Sequence, residues 1–105
     1  MTFQVILHEG VIAEAVRPRL VREMRRVAAD VFGAPAANAT VEMTEIPRGR
    51  FFTAAQPSRS SLVGTTVPPG TSPADRTRLM AEITSAWCDV TGCTPDEIVV
   101  SASGT

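Results

Sequence analysis

"LVREMRRVAADVFGAP" (residues 20–35) and "TRLMAEITSAWCDVTGC" (residues 77–93) decide the fold, because they are one pattern written twice. In the first, Leu20, Met24, Val27, Ala28 and Val31 continue an apolar stripe begun at Val16, at the spacing of one helix face. Leu79, Ile83, Ala86, Trp87 and Val90 repeat the stripe in the second. Each is closed by a glycine, Gly33 and Gly92, the residue that accepts a left-handed helix end without steric cost. A β-type run precedes each helix, "FQVILH" (3–8) and "SSLVGTTV" (60–67). Another follows each, "ATVEMTEI" (39–46) and "DEIVVSAS" (96–103).

The register is constant. Gly33 to Gly92, Leu20 to Leu79 and Val41 to Val100 are each 59 residues apart. The chain therefore reads as strand, helix, strand, twice over. Each such unit is expected to be parallel and right-handed. Two of them side by side give an α+β fold: a four-stranded sheet with both helices on one face. Residues 1–105 then form a single domain of two pseudo-repeats, 1–55 and 59–105. The second sheet face still carries apolar side chains and needs a cover, which points to self-association.

The second helix has a clear start, with Ser72 as N-cap, Pro73 in the first turn and Asp75 near the positive end of the helix dipole. Pro18 falls about five residues into the equivalent first helix and should kink or delay it. Between the halves, "IPRGRFFTAAQPSRS" (46–60) reads as turn and loop.

Composition removes several function classes. Net charge is −1, so no overall field draws the chain to nucleic acid or a membrane surface. No run reaches the ~18 apolar residues of a membrane span, and the start lacks the features of a signal peptide. All ten basic residues are arginine, which rules out lysine Schiff-base chemistry and a phosphate-loop lysine. Cys88 and Cys93 do not form CxxC, and a single histidine cannot complete a zinc site with them. Both read as reduced thiols of a cytoplasmic protein.

"HEG" (8–10), the helix with "LVREM" (20–24), "GAP" (33–35) and "VEMTEIPRGRFF" (41–52) together resemble the tautomerase superfamily. The likeness is to 4-oxalocrotonate tautomerase over residues 1–55. Beyond them it is to the double-length members related to malonate semialdehyde decarboxylase, cis-3-chloroacrylate dehalogenase and macrophage migration inhibitory factor. The resemblance implies β-α-β units assembled as a homotrimer, pockets at the chain start between subunits, and no cofactor or metal. It also implies an amino-terminal proline as acid or base. Here Met1 holds that place, and α-amines as a class titrate close to neutrality. Val11 and Thr40 stand where the short enzymes carry substrate-holding arginines, and "PPGT" (68–71) where the double-length ones do. Without these, a diacid finds no bidentate clamp. Phe51 matches a pocket wall.

His8 ends the first strand, and its repeat mate is Val67, so a single pseudo-equivalent pocket would carry an imidazole. Alternation places Gln4, Ile6 and His8 on one sheet face. His8 and the Met1 amine form the expected acid–base pair. Asn38 and Thr40 are candidate donors to a substrate carbonyl or enolate, and Arg48 or Arg50 could hold one carboxylate. Arg19, Arg22, Arg25 and Arg26 read as a solvated helix face, without the aromatic interleaving of a nucleic-acid surface. Trp87 reads as core. The expected function is proton transfer, of the keto–enol type, on a small carbonyl or monocarboxylate compound. The alternative is an inactive homologue that binds a small molecule or a partner. A ferredoxin-like α+β fold shares the element order but pairs its strands mostly antiparallel.

Overall fold

The computed structural model describes residues 1–47, 52–53, 56–57 and 60–104. Four strands form the main sheet: β1 (Thr2–His8), β2 (Thr40–Ile46), β5 (Ser61–Thr66) and β6 (Ile98–Ser103). Two helices cross between them, α1 (Arg17–Phe32) and α2 (Pro73–Thr91). The sheet order is β2-β1-β5-β6. β1 pairs parallel with β2, β5 parallel with β6, and the two units meet along an antiparallel seam between β1 and β5. The parallel pairs separate this fold from the ferredoxin-like alternative. Between the units, the stretch read as turn and loop includes a small antiparallel pair, β3 (Phe52–Thr53) and β4 (Gln56–Pro57).

One face of the sheet meets both helices. Phe3, Val5 and Leu7 from β1 and Val63 from β5 are buried against Leu20, Met24, Val27, Leu79, Ile83 and Trp87. Strand alternation sends Gln4, Ile6, Leu62 and Val99 to the other face, where Leu62 is 38% and Val99 52% exposed. That face has no helix over it, as the sequence pattern anticipates.

The helices start and stop for local reasons. Ser72 caps α2 by accepting a hydrogen bond from the Asp75 N–H at 3.1 Å. No side chain caps α1, and Pro18 sits in its first turn, preceded by a 3-10 turn over Glu14–Val16. Proline thus delays the helix: α1 begins at the repeat mate of Arg76, three residues inside α2. It does not kink it, because a first-turn proline has no helical N–H to lose. Both helices end at a glycine of positive φ. Gly92 is left-handed (φ 76, ψ 7), whereas Gly33 turns into extended backbone (φ 96, ψ 174). Replacing Gly92 by Ala meets no neighbour within 4 Å, so its cost is backbone strain alone. We expect about 1–2 kcal/mol of destabilisation from Gly92→Ala, read as a lower urea midpoint at unchanged slope.

Candidate active site

The parallel pairing of β1 with β2 brings the first residue of the chain beside the start of the second strand. The Thr40 N–H donates to the Met1 carbonyl at 3.0 Å, and Thr2 faces Thr40 in register. Asn38 ends the 3-10 turn (Ala34–Asn38) that leads into β2. Met1, Thr40 and Asn38 therefore gather at one end of the sheet. Arg25, expected to be solvated, reaches this end from α1 and donates its Nε to the Ala39 carbonyl at 2.8 Å. Its neighbour Arg26 does stay on the surface, paired with Glu23 and Asp30.

The antiparallel seam adds the second unit. Phe3 pairs with Thr65, and Thr65 with Ala102, so the ends of β5 and β6 lie beside the start of β1. There Met1, Thr2, Gln4, Thr66, Ser101 and Ser103 line an open cavity of about 480 Å³. Thr65, also in its wall, donates its hydroxyl to the Thr2 carbonyl at 2.7 Å and so ties the two units at this point. The wall is rich in hydroxyls and, among the described residues, carries no arginine side chain. A second cavity of about 380 Å³ continues it across the uncovered sheet face, sharing Gln4, Gly64 and Ser101 and adding Ile6, Glu42 and Leu62.

His8 is elsewhere. It closes β1 opposite Ile46 and is 7% exposed. Extended chain rises roughly 3.3 Å per residue, so about 23 Å separates Met1 from His8 within one chain. The expected acid–base pair is therefore not assembled by a single subunit: an extended strand cannot fold back to bring its two ends together. Arg48, Arg50 and Phe51 lie outside the described residues.

Sequence reading missed Thr2, Gln4, Thr66, Ser101 and Ser103. Each alternates onto the uncovered face, which was a readable signal, but the antiparallel seam that gathers them was not. Among the described residues, no three or more His, Cys, Asp or Glu side chains cluster as metal ligands would. No helix among them is long and apolar enough to cross a membrane. Thr65→Val keeps the side-chain shape and removes the bond to the Thr2 carbonyl. We expect a loss of about 1–2 kcal/mol in chemical denaturation, with the fold retained.

No family model matches the sequence, and no curated protein sequence does. Solved structures do match in three dimensions. Native Ps01740 superposes with a TM-score of 0.91 at 24% identity, covering 100% of this chain and 94% of the other. Pt0534 inactivated by 2-oxo-3-pentynoate gives 0.89 at 20% identity, over 100% and 85%. Wild-type fused 4-OT, a symmetric trimer, gives 0.88 at 16% identity, again over 100% and 85%. The chain has the fold of these proteins, fused 4-OT among them, over its whole length.

Proposed function

We propose that the protein is a proton-transfer catalyst of the tautomerase type, interconverting the keto and enol forms of a small carbonyl compound at the Met1 amine. One observation carries this reading: the first residue of the chain lines a hydroxyl-rich cavity of about 480 Å³. That size suits a small substrate, and the fold is the one fused 4-OT also has. The amine takes the proton next to the carbonyl, the electron pair moves onto the carbonyl oxygen, and nearby donors stabilise the enolate. Thr40 and Asn38 join the wall hydroxyls as those donors. The same proton, returned to oxygen or carbon, completes the interconversion. The site works with no cofactor or metal, as the resemblance implies.

Arg48 and Arg50 remain the proposed holders of a single carboxylate, and Phe51 a proposed wall of the pocket. The substrate is then neutral or a monocarboxylate. Three copies assemble in this reading, each covering part of another's open sheet face. The exposed Leu62 and Val99 and the trimeric fused 4-OT support it. We expect light scattering to give three times the 11.2 kDa chain mass, and Leu62→Glu to reduce it to one chain. A mass of one chain for the unmodified protein would refute the assembly.

A second reading, a binding module without turnover, draws on His8. A single chain brings one of the two expected titrating groups to the cavity and leaves the other at the far end of β1. Ketonisation of phenylenolpyruvate, a monocarboxylate enol, separates the readings. We expect acceleration over buffer, a return to the buffer rate when one glycine is added before Met1, and retention within about threefold in His8→Asn. The opposite ranking of the two variants moves the base to His8. No acceleration at high protein concentration selects the binding module.

A further inference from the structure

The end of α2 holds chemistry that the proposed function does not use. Gly92 adopts φ 76 and donates its N–H to the Cys88 carbonyl at 2.8 Å, which turns the chain back over the last helical turn. The Cys93 N–H is held in turn by the Thr91 hydroxyl at 3.2 Å. This reversal lays Cys93 against Cys88, with the two sulfurs 3.7 Å apart and both thiols free. Five residues separate the pair in sequence, so the contact is made by the left-handed glycine and by no feature of the cysteines themselves.

A small cavity of about 160 Å³ opens beside them, and Ser61, Trp87, Thr91 and Cys93 are in its wall. Cys88 is not. Trp87 is 1% exposed, and its indole Nε1 is buried with no acceptor among the described residues. The cavity thus offers a thiol in its wall and a second thiol within reach of the first.

From this arrangement we infer that Cys88 and Cys93 form a peroxide-oxidised dithiol, with the cavity beside Trp87 as the entry site for hydrogen peroxide. Cys93 reacts first because it lines the cavity. Its sulfur attacks one peroxide oxygen, the O–O bond breaks, and the thiol proton leaves with the departing hydroxide as water. The product is a sulfenic acid on Cys93. Cys88 then attacks that sulfur; the S–O bond breaks, an S–S bond forms, and the Cys88 proton leaves with the hydroxide as a second water. Two thiols have lost two electrons to one peroxide. Closing 3.7 Å to the ~2.04 Å of a disulfide moves the two sulfurs together by under ~2 Å. Burial, followed by the hydrogen bond shared with Cys93, pushes the Cys88 thiol up to about 11, which fits its role as the second thiol to react.

Intact-mass measurement and thiol titration of the full chain treated with hydrogen peroxide test this directly. The expected product is a single chain lighter by two hydrogens, with both thiols lost and both restored by dithiothreitol. Persistence of two free thiols, or a disulfide between chains, overturns the inference. Cys88→Ser should still be oxidised and should carry a sulfenic acid on Cys93 that dimedone traps. Cys93→Ser should react about tenfold more slowly or less. Equal rates for the two variants would overturn the order of attack. Cumene hydroperoxide, too bulky for the cavity, should oxidise the unmodified chain at least about tenfold more slowly than hydrogen peroxide. Equal rates with the two peroxides would remove the cavity from the proposal.

Discussion

The antiparallel seam between β1 and β5 is the constraint on which the rest of the molecule depends. Each β-α-β unit is locally complete, but a two-stranded sheet under one helix leaves much of its core open to water. Pairing Phe3 with Thr65 and Val5 with Val63 closes one core across both units. Because the seam is antiparallel, each end of the sheet combines the start of one unit with the finish of the other. The start of β1 therefore meets the ends of β5 and β6, and the cavity at Met1 takes residues from both halves. The start of β5 meets the end of β1, which puts Ser61 near Val11 and Ile12 in the wall of the thiol cavity. Both sites follow from one pairing.

The repeat is exact in length but not in chemistry, and several of the differences fall at these two ends. In the first unit Arg17 pairs with Glu45 at 2.6 Å. Their mates 59 residues on are Arg76 and Gly104, where the guanidinium lies 3.1 Å from the place a Cβ would take. An ion pair in one copy is thus replaced by close packing of an arginine on backbone in the other. Ala28 becomes Trp87, which brings a large ring and an unpaired indole N–H into the second unit. His8 becomes Val67, buried in the core. The shared positions, Leu20 with Leu79 and Val41 with Val100, hold the fold. The altered ones make the two ends chemically distinct.

What was legible in the sequence was what the chain decides locally. The helix stripes, the Ser72 cap and the terminal glycines depend on neighbours within a few residues, and the structure has them where the spacing puts them. The repeat then supplied the parallel units and the uncovered face. The seam itself was not legible, because alternation fixes which face a residue occupies and not which strand lies beside it. That gap explains the hydroxyls missed around Met1. It does not explain His8, where the fault was simpler: two residues at opposite ends of one strand were paired on chemistry without regard to the length of extended chain between them. The thiols are free, as their spacing suggested, but their contact was not legible. Their spacing was read against metal motifs, while Gly92 between them, already recognised as a helix end, was the residue that brings them together.

The character of the Met1 cavity bears on what such a site can stabilise. An arginine contributes full positive charge and a bidentate fork, which suits a substrate carboxylate whether or not reaction is under way. Hydroxyls and backbone N–H groups carry only partial charge, and they gain most where negative charge appears during the reaction. A wall of hydroxyls therefore favours a developing enolate over a substrate carboxylate already charged in the ground state. Thr2, Thr66, Ser101 and Ser103 make such a wall here. Among the described residues of the wall no arginine meets a carboxylate, and a carboxylate that loses its hydration without finding a cation does so at a cost of several kcal/mol.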